Sequence, residues 1–257
     1  MEETKTLIYD GSFNGFLTAI FCAFEEPKSS IIIQKKETNT TTLFTNTSII
    51  FTDMPKAEQV WNTIQNKNNA AIKKVYFAFL SGTKNIENQL YLFIKNLFNP
   101  YIASQLGYCS SLAIKIDNLA QRVSKEKKYL EESLELTPSK DGIYFSNITP
   151  ENDILPLLTK YFRLKYHNQS WLIFDAKRNY GMYYNQFCVE IVTLDTKAMY
   201  RTGIAPNSSI KNLTNTRINK INKHFTLNNL KPLLFNKLHK TKKEEKFRES
   251  TLGRLAV

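Results

Sequence analysis

Three stretches of this 257-residue sequence put residue types where they could do chemistry. The first is Ile8-Tyr9-Asp10-Gly11-Ser12-Phe13-Asn14-Gly15. An acid at the carboxyl end of a short apolar strand, then a glycine turn and a helix start, makes a concave polar corner. Backbone N–H groups at such a helix start can hold an anion such as phosphate. The same spacing lets Asp10 and Ser12 act only as caps of the helix, and spacing alone favours that plainer role. The second stretch is Trp171-Leu-Ile-Phe-Asp-Ala-Lys-Arg178, where Asp175 ends an apolar strand three residues before Arg178. A carboxylate beside a guanidinium can orient a substrate hydroxyl or hold a phosphate, although most such pairs only fix a turn. If Asp10, Asp175 and Arg178 line one cleft, they are a candidate catalytic set. Asp175 would act as base or as ligand of a metal-bound water, and Arg178 would hold phosphate.

The third stretch is the carboxyl-terminal quarter. Residues 196–257 carry 14 Lys and Arg against three acids, whereas the preceding 195 residues carry 21 against 20. Lys211, Arg217, Lys220, Lys223, Lys231, Lys237 and Lys240 are spaced among Asn, Thr and apolar residues, with no acid between them. A merely solvated face mixes both signs. A face of one sign neutralises phosphates and makes binding fall steeply with salt. The partner expected from charge is therefore DNA or another nucleic acid, with Lys177 and Arg178 as further candidate contacts. A scaffold role, the basic segment meeting an acidic protein, is the reading of a different class. A membrane surface fits less well because the apolar stripe is modest, and no run of 18 apolar residues occurs.

Several chemistries lack their signatures. There is no phosphate-binding GxxxxGK[ST] loop, no GxGxxG after a strand, no HExxH and no GxSxG. His167, His224 and His239 have no metal-ligand spacing, and Cys22, Cys109 and Cys188 form no CxxC pair. No metal and no cofactor is expected. Three scattered cysteines in apolar settings suit buried thiols in a reducing cytoplasm. The acidic opening, Met1 to Phe13, runs quickly into folded-looking sequence and predicts neither a signal nor a transit peptide.

The elements that must position these residues read as an α+β body. A strand over Thr6–Asp10 leads to a helix capped by Ser12, with Phe13, Phe16, Leu17, Ile20, Phe21 and Phe24 at helical spacing. Short strands are expected at Ser30–Ile33 and Ser48–Phe51. Asp53 caps a helix in which Ala57, Val60, Trp61 and Ile64 form the apolar face. Helices follow over about 69–80, 83–98 and 110–129. At Tyr129 the period shifts towards 2, predicting a hairpin from Leu130 through Ser139–Gly142 to Phe145. Thr149-Pro150-Glu151 predicts a helix start, running through Ile154, Leu157, Leu158, Tyr161 and Phe162. Trp171–Asp175, Tyr180–Tyr184 and Phe187–Leu194 predict an antiparallel meander. A helical N-terminal half packed with that meander thus forms a body over 1–195, divisible into a helical part (53–129) and a sheet (130–195). A basic helical region over 196–257 follows, with a helix at about Leu227–Lys240.

The opening YDGSFNGFLTAIFCAFE (Tyr9 to Glu25) resembles the start of a bacterial family of unknown function assigned to DNA metabolism or DNA repair. Ile148-Thr-Pro-Glu-Asn-Asp-Ile-Leu-Pro-Leu-Leu158, Tyr161-Phe162-Arg163 and Trp171 to Arg178 match its later motifs in order. The resemblance covers most of residues 5–185. It implies work on DNA beside a radical SAM protein, the partner that the family's genes typically accompany, and in some relatives fusion to a uracil-DNA-glycosylase-like domain. Asp10, Asp175 and Arg178 keep the family's polar pattern. Its histidines are replaced here, by Tyr161, by Phe174 and within Glu126–Leu136. The resemblance therefore implies a DNA-metabolism role in which this chain either binds without catalysis or is a divergent enzyme.

Overall fold

The first strand, β1 (Thr4–Tyr9), is paired on both edges, in parallel with β2 (Ser30–Lys35) and with β3 (Thr47–Ile49), giving the order β2-β1-β3. Leu7 sits opposite Ile33 on one side and Ser48 on the other. A parallel pair needs a crossover, and α1 (Phe13–Glu25) supplies it between β1 and β2. Phe16, Leu17, Ala19 and Ile20 are fully buried on α1. Its Phe13 ring meets Trp61 of α2 (Met54–Lys67) edge-on, 6.3 Å between centroids. The structure is a computed structural model that describes residues 4–26, 30–36, 46–98, 108–138 and 142–193. These fall into two compact units, over 4–67 and 68–193.

The second unit begins with α3 (Asn69–Leu80), α4 (Ile86–Phe98) and α5 (Tyr108–Ser133). Asn68 caps α3 by accepting from the Ala70 and Ala71 N–H groups. Leu112, Ile116, Leu119, Ala120 and Val123 form the buried stripe of α5 against α3 and α4. Five strands follow: β4 (Thr137–Pro138), β5 (Tyr144–Ile148), β6 (Trp171–Asp175), β7 (Tyr180–Tyr184) and β8 (Val189–Thr193), side by side in chain order. α6 (Leu155–Lys165) connects β5 to β6. Leu155, Leu158 and Phe162 of α6 join Ile148, Trp171, Ile173, Met182 and Tyr184 in one core. All five residues of β6 are buried, which is why Trp171–Asp175 reads as an unbroken apolar run ending in an acid.

The class is α+β as expected, with a helical first half, and β6, β7 and β8 are the antiparallel meander. Three details differ. The 3.6 period does not give way at Tyr129: α5 continues to Ser133, held by Lys127–Glu131 and Lys128–Glu132 pairs one turn apart. Only Thr137–Pro138 then pairs antiparallel with β5. The helix predicted from Thr149 starts at Leu155, with Pro156 in its first turn: the Pro150 and Glu151 carbonyls accept from Arg178 and the Asp153 N–H donates to Leu80 O, so the groups that an earlier helix would pair with one another are taken elsewhere. Finally, β5 and β6 run parallel, since the long connection carrying α6 brings the chain back in the same direction. The helix expected at Leu227–Lys240 lies outside the described residues.

Candidate functional site

The Asp175 corner lies where β6 ends. Pairing with β5 carries one residue past the strand through Ala176 N–H to Ile148 O, so Asp175 is held level with the start of the 149–153 loop. Its side chain is fully buried. One oxygen accepts from the Lys177 and Arg178 N–H groups at 2.9 and 3.1 Å, and the other from Arg178 Nη1 at 2.8 Å. Arg178 also donates to Pro150 O and, at 2.7 Å, to Glu151 O. The exposed Lys177 Nζ reaches Glu151 O at 3.3 Å. From the other side, the Glu126 carboxylate accepts from Glu151 N, Asn152 N and Asn152 Nδ2. The Tyr180 hydroxyl donates to Asp153 Oδ1. Burial and the Asp153 carboxylate hold that hydroxyl well above the ordinary tyrosine range, and the same two causes raise buried Tyr76.

This arrangement is a clamp. A buried carboxylate demands a paired cation, and the pair in turn ties down two backbone carbonyls of a loop that has left regular structure. Arg178 spends its donors on groups of its own chain. Sequence spacing identifies the Asp175–Arg178 pair. It offers no signal for Glu126, Asp153 or Tyr180, whose partners are 25 to 27 residues away.

Asp10 belongs to the first unit, at the carboxyl end of the central strand. Its Oδ1 accepts from Ser12 N–H at 2.9 Å and from the Ser12 hydroxyl at 2.7 Å, and its Oδ2 from the Thr52 hydroxyl at 2.7 Å. Ser12 Oγ in turn accepts from Gly15 N–H at 2.9 Å, the cap expected from sequence. Two glycines make room. A Cβ at Gly15 would lie 2.2 Å from Asp10 Oδ1, and one at Gly11 (φ +87°) would strike the Lys35 side chain. The exposed Asp10 carboxylate therefore sits on the positive end of α1, where it fills the place a bound anion would take. The order β2-β1-β3 makes β1 the central strand, so Asp10 lies at the carboxyl end of the middle of the sheet.

Asp175 and Arg178 are brought together in the second unit, while Asp10 has its own partners in the first. Lys211, Arg217, Lys220, Lys223, Lys231, Lys237 and Lys240 lie outside the described residues. Among the described residues, no three His, Cys, Asp or Glu side chains gather as a metal site, and no helix is long and apolar enough to cross a membrane.

No curated protein matches the chain. A family described as a domain of unknown function, DUF4130, matches residues 84–250, from just before α4 through the whole five-stranded sheet and into the basic segment. The Asp175 clamp is inside the match and Asp10 is outside it. The chain belongs to this family.

Proposed function

We propose that this member of a family of unknown function is a DNA-metabolism accessory protein, binding nucleic acid through residues 196–257 and acting beside a radical SAM enzyme in a reducing cytoplasm. The observation that carries the reading is the charge division, 14 cations against three acids after residue 195 and near balance before it. A segment of that composition gains most from a polyanion, because each neutralised phosphate releases condensed counterions. The clamp supports a binding role over a catalytic one in the second unit, since Asp175 and Arg178 are occupied with the loop over 149–153. The radical SAM partner and the link to DNA rest on the family resemblance of the opening and later motifs.

Gel retardation of single-stranded and duplex DNA at low salt, with heparin as competitor, tests the reading. Removing residues 211–257 should abolish retention while far-UV circular dichroism keeps the helical signal. Undiminished retention by the shortened chain would refute the role of the basic segment. Capture of the full chain from its native cytoplasm should bring down a radical SAM protein.

A second reading is favoured by one observation, the exposed Asp10 carboxylate at the carboxyl end of the central strand of the parallel sheet. In a divergent DNA-processing enzyme, Asp10 would be the carboxylate that meets the substrate. A DNA-dependent activity lost in Asp10→Asn without loss of stability would support it over the accessory role.

A further inference from the structure

α5 has an exposed face that pairs with no other described element through its cations. Its acids are all engaged: Asp117 with Lys74 and Gln121, Glu126 with the loop over 149–153, Glu131 and Glu132 with Lys127 and Lys128. Lys115, Arg122 and Lys125 are exposed and make no ion pair with any described residue. Lys115 and Arg122 are two turns apart on the same face, and Lys125 lies nearly one turn further. The three cations thus span about 15 Å of helix with no free acid among them. Beside them runs a shallow hollow of about 340 Å³, lined by Ser111, Ile114, Lys115, Asn118, Leu119 and Arg122.

The composition of that hollow is specific. Exposed Ile114 offers an apolar floor, Asn118 offers an amide, and cations stand at Lys115 and Arg122. An apolar floor with an amide suits the flat face and the edge of a base, and the cations suit the phosphates on either side of it. In a duplex the base faces are stacked away, so the hollow fits an unpaired strand. Lys125 extends the cationic run past the hollow, which a single free nucleotide would leave unused. Against a strand, which carries one phosphate per nucleotide, the run meets more than one phosphate.

We propose that this face of α5 is a second nucleic-acid contact, which binds a single strand with one nucleotide seated in the hollow and flanking phosphates on Lys115, Arg122 and Lys125. The inference rests on the reading of the protein as a nucleic-acid binder but uses none of the residues of the basic segment.

Fluorescence anisotropy of labelled oligo(dT) and oligo(U), titrated with the full-length protein over a series of salt concentrations, tests it. Replacing Lys115, Arg122 and Lys125 together by Gln should make the slope of log affinity against log salt shallower by about 2, at about 0.7 for each single-strand phosphate that is no longer neutralised. The same number of charges removed at exposed Lys67, Lys84 and Lys95 should leave the slope unchanged, and arginine at 115 and 125 should preserve it. A parallel variant with Gln at Lys211, Arg217, Lys220, Lys223, Lys231, Lys237 and Lys240 separates the two proposals. An unchanged slope in the α5 variant beside a shallower one in that parallel variant overturns this inference and leaves the first standing. The reverse pattern supports this inference and overturns the first. Absence of binding by the unaltered chain overturns both. Competition by thymidine monophosphate as effective as that of an oligonucleotide of equal phosphate content would also overturn the strand assignment.

Discussion

Arg178→Ala separates a clamp from a catalytic arginine. The substitution leaves the fully buried Asp175 carboxylate with only its two backbone donors, at 2.9 and 3.1 Å, and releases the carbonyls of Pro150 and Glu151. Breaking one side of a buried pair costs about 3–5 kcal/mol. The retained N–H bonds and the partial exposure of Arg178, 22%, put this case near the low end, about 3 kcal/mol. For a chain of this size that is a fall in Tm of about 6–12 °C. Asp175→Asn in the same background should recover part of the loss, because the neutral amide removes the stranded charge. The resulting coupling in a double-mutant cycle should be about 1–3 kcal/mol. Thermal and urea unfolding of the four proteins measure it. A Tm for Arg178→Ala within a degree of the parent, or strictly additive losses, would refute the clamp.

Other perturbations have equally definite outcomes. Gly15→Ala should cost about 1–2 kcal/mol despite the better helix former, since its methyl displaces Asp10 from Ser12 and Thr52. In an Asp10→Ala background the same change should be neutral or stabilising, and a loss of equal size in both backgrounds would show that the carboxylate is not what the glycine accommodates. Tyr180 and Tyr76 have hydroxyls raised by burial and by Asp153, so above about pH 10 the unfolded chain sheds protons that the folded chain keeps. Stability is thus intact below that pH and falls as pH rises past it, by up to about 1.4 kcal/mol per pH unit for each such group. Urea unfolding above pH 10 should show a shallower fall for Tyr180→Phe, and an unaltered slope would contradict the assignment.

The local part of this structure is legible in the sequence, and the reason is the range of the interactions. Ser12 bonds to a backbone group three residues away, and Asp53 likewise to Lys56 N, so a cap and an apolar repeat are sufficient evidence for α1 and α2. The Asp175–Arg178 pair is visible for the same reason. What escapes is settled at a distance. Arg178 takes the Pro150 and Glu151 carbonyls and Leu80 the Asp153 N–H that a helix from Thr149 would have paired, and nothing near Thr149 announces those partners. The alternation after Tyr129 is real but weak, and helix-spaced ion pairs with packing at Leu130 and Leu134 outweigh it. The parallel union of β5 and β6 depends on how a long connection folds back. The cations of α5 have no pattern of their own until the fold shows which acids are already taken.

The most direct test of the central claim is the salt dependence of nucleic-acid binding by the intact chain. The parent should bind oligo(dT) at low salt with a steep negative slope of log affinity against log salt. Neutralising Lys211, Arg217, Lys220, Lys223, Lys231, Lys237 and Lys240 should flatten that slope by up to about 5, at about 0.7 per single-strand phosphate met. An identical slope and affinity in the neutralised protein would contradict the claim that this segment exists to meet phosphate.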